Sequence, residues 1–134
     1  EIGKVKNNRI PLEEFVSEKC SADAFRNIYR NYEQHRKELK KIDFDDMLVL
    51  CYELFQSRPD VLAQWQKKFR YVLIDEFQDI NRIQYDVIRM LAQPENNLFV
   101  VGDDDQAIYG FRGADSELML GFGKDFPDAK QILL

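Results

Sequence analysis

Glycine, cysteine and histidine are scarce in this chain of 134 residues, and each scarcity removes a class of function. The 6 glycines, at positions 3, 102, 110, 113, 121 and 123, form no GxxxxGKS or GxxxxGKT, so no phosphate-cradling loop is encoded. Gly121-Phe122-Gly123-Lys124 brings a lysine without the spacing or the preceding strand that such a loop needs. The 2 cysteines, Cys20 and Cys51, lie far apart with no CxxC and no histidine near them. That excludes a zinc ribbon or a disulfide scaffold and fits a reducing compartment, taken here as the cytoplasm. The single histidine, His35, sits in a charged stretch and is expected to be exposed. Apolar runs such as Met47 to Cys51 are far too short to span a bilayer, so no membrane partner is expected. No charged stub followed by an apolar stretch opens the chain, and a secretory signal is not expected.

What is present is an ordinary globular composition, with 45% hydrophobic residues, 10 Phe and 6 Tyr, which argues against disorder. A chain of this length buries roughly two-thirds of its unfolded surface, enough for one core rather than two independent ones. The formal net charge is −5 and is unevenly placed, with 10 basic and 7 acidic residues before position 42 and 9 and 17 after it. Net acidity argues against a general nucleic-acid coat, so any such contact must be local or shared with other sequence.

Glu1 to Pro11, with Gly3, Asn7, Asn8 and Pro11, reads as a loop, and Leu12 to Cys20 as a short helix. Ser21 can cap a longer helix on which Phe25, Ile28, Tyr29, Tyr32 and Leu39 recur at helical spacing, a stripe that suits packing. The opposite face, Arg26, Arg30, Lys37 and Lys40, suits either solvent or a polyanion. Asp43 can cap a third helix ending before Pro59, with Asp45 and Asp46 serving its first turn, and a fourth runs from Pro59 to Phe69.

The period then changes. Tyr71-Val72-Leu73-Ile74 is a continuous apolar run ending in Asp75-Glu76, and Leu98-Phe99-Val100-Val101 is a second ending in Gly102-Asp103-Asp104-Asp105. Between them Arg82 to Ala92 reads as an amphipathic helix capped by Asn81. Strand, helix and strand with apolar strands predict a parallel βαβ unit. A third strand is expected at Gln131 to Leu134, after a helix opened by Asp115-Ser116, and the apolar end of the chain reads as a cut. The fold class expected is α/β, a helical N-terminal half leading into a partial parallel sheet of about three strands. Exposed sheet edges predict self-association. Ligands of open parallel sheets bind outside the carboxyl ends of the strands, where both runs end in acids. Carboxylates gathered there suit Mg²⁺. A strand followed by Asp-Glu is also the Walker B arrangement; the plainer reading is solvated acids at a strand end.

The wider context is more specific. Ile74-Asp75-Glu76-Phe77-Gln78-Asp79, followed by Val101-Gly102-Asp103-Asp104-Asp105-Gln106-Ala107-Ile108-Tyr109-Gly110-Phe111-Arg112-Gly113-Ala114, resembles motifs II and III of the UvrD/Rep/PcrA family of superfamily 1 DNA helicases. Asp43-Phe44-Asp45-Asp46-Met47-Leu48 resembles the element that precedes motif II in that family. The resemblance implies an incomplete P-loop (RecA-like) motor core over residues 42–134, with residues 1–41 ending an inserted helical subdomain. It implies an ATP-dependent helicase moving 3′ to 5′ on single-stranded DNA, with ATP and Mg²⁺ as cofactors.

Asp75 would then hold Mg²⁺, Glu76 would be the general base, and Gln106 would sense the γ-phosphate. Tyr109 and Phe111 would stack on single-stranded DNA, Arg112 would join the DNA path to the ATP site, and Phe44 would be a further stacking position. Tyr109 and Phe111 could instead fill core, and Phe111 stands where some relatives carry Trp. Gly110 replaces a residue that is often basic or polar. Gln78 and Asp79 could position the loop, couple to a partner motor domain, or form a cap network. No role is attached to Phe77, and Asp104 and Asp105 are read as solvated. With no phosphate loop and no arginine motifs, the chain alone is expected to be inactive. Two rivals remain. A receiver-like phosphotransfer domain would want a later strand-end lysine and five strands, and a degenerate helicase-like module would bind DNA or a partner without hydrolysis.

Overall fold

The computed structural model describes residues 1–106, 114 and 116–133. Among these, helices α1 (Ile2–Asn7), α2 (Ala22–Glu38), α3 (Phe44–Ser57) and α4 (Pro59–Lys68) precede strand β1 (Val72–Ile74). A 3-10 turn (Phe77–Asp79), helix α5 (Arg82–Ala92), strand β2 (Leu98–Val100), a second 3-10 turn (Asp104–Gln106) and helix α6 (Ser116–Asp125) follow. The arrangement is helical with a small parallel sheet, in keeping with the α/β expectation.

Three helix starts follow from side chains that satisfy the otherwise unpartnered first-turn amides. Ser21 Oγ accepts from the Ala24 amide at 3.4 Å. Asp43 and Asp46 form a reciprocal capping box on α3, at 2.7 and 2.8 Å. Asn81 and Gln84 do the same on α5, at 3.0 and 2.9 Å.

The first twenty residues reverse the expectation: Ile2–Asn7 is helical, and Leu12 to Cys20 is turns and bends. The apolar spacing there is overridden by local hydrogen bonds, since Ser17 Oγ accepts from the amides of Lys19 at 3.0 Å and Cys20 at 3.2 Å. The α2 stripe is buried only at Phe25; Ile28, Tyr32 and Leu39 are exposed. On its basic face Arg26 and Arg30 form ion pairs with Glu13 at 2.9 and 2.8 Å.

Among the described residues, buried apolar side chains gather in two clusters. Val5, Phe15 and Phe25 pack together beside α1 and the start of α2. Phe77, Ile80, Tyr85 and Leu118 pack beneath the sheet, with Ile74, Val100 and Phe122 around them. Helix α3 lies against both α1 and α5 and so joins the two.

The joint between α1, α2 and α3 is ionic. Lys6, 7% exposed, places its Nζ 2.9 Å from Glu33, 2.8 Å from Asp43 and 2.8 Å from Asp46. Arg36 adds contacts to Asp46 at 3.1 Å and Glu33 at 2.7 Å, and the Tyr32 hydroxyl donates to Asp43. Burial presses the Lys6 ammonium down, but its three carboxylates outweigh that and hold it above the usual lysine range. Burial pushes Asp43 up, and the hydrogen bonds from Lys6 and Tyr32 overturn that, holding it well below the usual carboxylate range. Asp46 is therefore more than a first-turn acid: it is 3% exposed and takes part in this network.

Strands β1 and β2 pair in parallel, with Val72 opposite Leu98, Leu73 opposite Phe99 and Ile74 opposite Val100. Ile74 and Val100 face the core, whereas Leu73 and Phe99 are 70% and 57% exposed, so the sheet is covered on one face among the described residues. The expected third strand does not form at Gln131–Leu133, which has no strand pairing; Leu134 lies outside the described residues. An apolar run becomes a strand only where a neighbour accepts its ladder, and among the described residues none pairs with it.

Candidate functional site

The chain leaves β1 through Asp75 and Glu76, at the carboxyl end of the sheet. Glu76 adopts a left-handed backbone, φ 52° and ψ 44°, unusual for a residue with a Cβ. Its neighbours hold it there. Asp75 Oδ1 accepts the Glu76 amide at 3.0 Å. Val101 clamps the turn from the next strand, its amide donating to the Ile74 carbonyl and its carbonyl accepting from the Phe77 amide, both at 2.8 Å.

Beyond that turn the side chains divide. Asp75, Glu76 and Asp79 are exposed, while Phe77 and Gln78 are 0% and 3% exposed. Phe77, to which the sequence assigned nothing, anchors the turn by edge contacts with Tyr85 and Phe122, at ring-centroid distances of 6.0 and 5.4 Å.

Gln78 spans the two strand ends. Its Nε2 donates to Glu76 Oε2 at 2.7 Å, and its Oε1 accepts the Asp103 amide at 3.1 Å. Asp103 in turn accepts Gln106 Nε2 on Oδ2 at 2.7 Å and the Asp105 amide on Oδ1 at 3.0 Å. A continuous chain of hydrogen bonds thus runs Glu76–Gln78–Asp103–Gln106. It brings together two of the residues singled out from the sequence, and Asp75 joins through the Glu76 amide. The bridging role of Asp103 went unread, because its contact with Gln78, 25 positions earlier, is set by tertiary approach; Asp105 is exposed, as expected.

Gly102 permits that approach. A Cβ there would stand 2.7 Å from Gln78 Oε1 and 3.2 Å from the amide nitrogens of Phe77 and Gln78.

Phe44 lies outside this network, on the first turn of α3, and is 80% exposed. Tyr109, Phe111 and Arg112 lie outside the described residues, as do Gly110 and Asp115. His35 is exposed. A separate cleft lined by Gln66, Arg70, Tyr71, Pro94 and Asn97 opens at the amino ends of the strands, whereas the acids stand at the carboxyl ends.

Among the described residues no three His, Cys, Asp or Glu side chains are grouped as a metal cage. The exposed Asp75 fits a hard cation of the other kind, held by one or two carboxylates, waters and substrate phosphates. No helix among the described residues is long and apolar enough to cross a membrane.

The UvrD/REP helicase N-terminal domain family matches residues 1–127. The chain belongs to that family. It is 52% identical over 130 residues to the Bacillus subtilis protein named "Putative ATP-dependent DNA helicase YjcD", a match covering 97% of this chain and 16% of that relative. It is 42% identical over 137 residues to the ATP-dependent DNA helicase PcrA of Leuconostoc citreum, covering 99% and 18%. With PcrA of Staphylococcus epidermidis it shares 43% over 107 residues, covering 80% and 15%. The chain therefore spans about a sixth of the length of these curated relatives.

Proposed function

We propose that this chain is part of the motor of an ATP-dependent DNA helicase that uses Mg-ATP hydrolysis to move 3′ to 5′ along single-stranded DNA. The observation that carries the reading is the hydrogen-bonded chain from Glu76 through Gln78 and Asp103 to Gln106, lying at the carboxyl ends of two parallel strands. Residues 42–134 form part of the motor core in this reading, and residues 1–41 end an inserted helical subdomain.

Glu76, exposed and fixed in orientation, takes a proton from the water that attacks the γ-phosphorus; the bond to the β–γ bridging oxygen breaks, releasing ADP and phosphate. Asp75 contributes a carboxylate to the metal, and bound Mg²⁺ supplies charge neutralisation on the phosphates. Gln106, whose amide can both donate and accept, responds to the γ-phosphate. Tyr109, Phe111 and Phe44 supply aromatic faces for stacking on bases without reading their sequence. Arg112 links that path to the nucleotide. The residues of this chain contain no phosphate loop, so the 134-residue segment alone turns over no ATP.

The test compares the full-length protein carrying this segment with its Glu76→Gln variant. Removing a general base lowers kcat of DNA-stimulated ATP hydrolysis by about 10²–10⁴-fold, and unwinding favours duplexes with a 3′ tail. A full-length protein that binds single-stranded DNA but hydrolyses no ATP would instead indicate a binding module. Turnover by the 134-residue chain alone would overturn the assignment of incomplete machinery.

A further inference from the structure

We infer that Gln78 is a positioning residue that locks the Glu76 carboxylate to the loop carrying Gln106, so that the proposed base and the proposed γ-phosphate sensor move as one unit. The inference rests on the hydrolytic reading of Glu76 and deepens it. Gln78 is 3% exposed, and both ends of its carboxamide are used: Nε2 donates to a carboxylate at 2.7 Å and Oε1 accepts a backbone amide at 3.1 Å. A side chain must both donate and accept at this length to fill the place, which selects glutamine. Glutamate in its place would still accept from Asp103 but would set a second carboxylate against Glu76. Methionine would keep the volume and make neither bond.

The contact is built from both sides. Glu76 is held at φ 52° immediately before the 3-10 turn, and its carboxylate meets Gln78 Nε2 at 2.7 Å. Gly102 leaves the space that Gln78 Oε1 occupies. Asp103 then passes the connection to Gln106 at 2.7 Å. An exposed glutamate has many rotamers, and tying it to a buried amide leaves few of them. Orientation of this kind decides rate, because misplacement of a reacting group by about 1 Å costs on the order of 10²-fold.

The experiment uses the full-length protein with Gln78→Met and Gln78→Glu, beside wild type and Glu76→Gln. Single-turnover ATP hydrolysis, affinity for a fluorescent ATP analogue, and hydrogen exchange at the Asp103 amide are measured on each. In both Gln78 variants hydrolysis is expected to fall by about tenfold to a hundredfold, with nucleotide affinity within about threefold of wild type, as expected for a group that orients rather than binds. Exchange at the Asp103 amide should accelerate in Gln78→Met and stay slow in Gln78→Glu, which keeps the acceptor. If Gln78→Met does not fold, Gly102→Ala displaces the same amide from the other side and is expected to give the same loss of rate with affinity kept. Hydrolysis within twofold of wild type in the Gln78 variants, while Glu76→Gln is inactive, would remove the Gln78 assignment alone. An inactive wild type, or a fully active Glu76→Gln, would remove the hydrolytic reading and this inference with it.

Discussion

Replacing Lys6 by methionine would keep most of the stem and remove the one ammonium that three carboxylates share. Those carboxylates differ in access to water: the Asp46 side chain is 4% exposed, Glu33 19% and Asp43 27%. After the change Arg36 is the one cation paired with them among the described residues, 3.1 Å from Asp46 and 2.7 Å from Glu33, while the Tyr32 hydroxyl still donates to Asp43. Breaking a fully buried ion pair by deleting one partner costs about 3–5 kcal/mol. Partial solvation of Glu33 and Asp43, and the surviving Arg36, place the expected loss at the lower end, about 3 kcal/mol. That is a large share of a typical folding free energy of about 5–15 kcal/mol.

Urea unfolding followed by far-ultraviolet circular dichroism reads the loss as a midpoint lowered by about 1.5 M at an m-value of about 2 kcal/mol/M. Asp46→Asn in the same background should recover part of it, because the buried charge left without Lys6 is then removed; a coupling of about 0.5–3 kcal/mol is expected. A loss below about 1 kcal/mol, or strictly additive effects of the two changes, would refute the view that this network is a desolvated unit.

The same network predicts a pH window. Asp43 and Glu33 titrate below their unfolded values of about 3.9 and 4.3, so their contribution is full above about pH 4.5 and drains away as pH falls through the folded values. Lys6 behaves in the opposite sense, contributing fully below about pH 10.4 and losing that contribution as pH rises through its higher folded value. Urea midpoints that do not drop between pH 7 and pH 3, or a drop undiminished in Lys6→Met, would contradict this. Phe77→Ala should cost about 3–5 kcal/mol, because the ring is 0% exposed and packs on Tyr85 and Phe122. A thermal or urea midpoint close to wild type would show that the turn does not depend on this anchor.

Much of the α/β segment was legible because its signals are local. Asp43 and Asn81 announce helix starts within three residues of their partners. Two apolar tetrads separated by an amphipathic helix announce parallel strands, and the acids follow each strand directly. The segment before residue 42 was read less well, since what decides it is distant. Gly3, Asn7, Asn8 and Pro11 near the start look like loop composition until Lys6 meets Glu33, Asp43 and Asp46 across the fold. Leu12 to Cys20 keeps helical spacing, yet Ser17 satisfies nearby amides in a turn instead. The final apolar residues carry strand propensity, but propensity cannot supply the neighbouring strand that would make them one.

The candidate site shows why its chemistry could be read and its wiring could not. Asp75 to Asp79 alternates in destination rather than in strand or helix period, acids outward and Phe77-Gln78 inward, because the 3-10 turn follows a left-handed residue. Such a backbone costs about 1–3 kcal/mol at a residue with a Cβ and persists only when its surroundings over-determine it. Here they do: Asp75 and Val101 hold the main chain, Phe77 fills the core, and Gln78 ties the carboxylate to the loop after β2. Every one of those restraints except the first reaches across to residues beyond position 84, so a local reading finds the acids and misses what aims them. The glutamine is the informative residue of the five, because a buried amide with both ends engaged has no function in packing that an apolar side chain would not serve better.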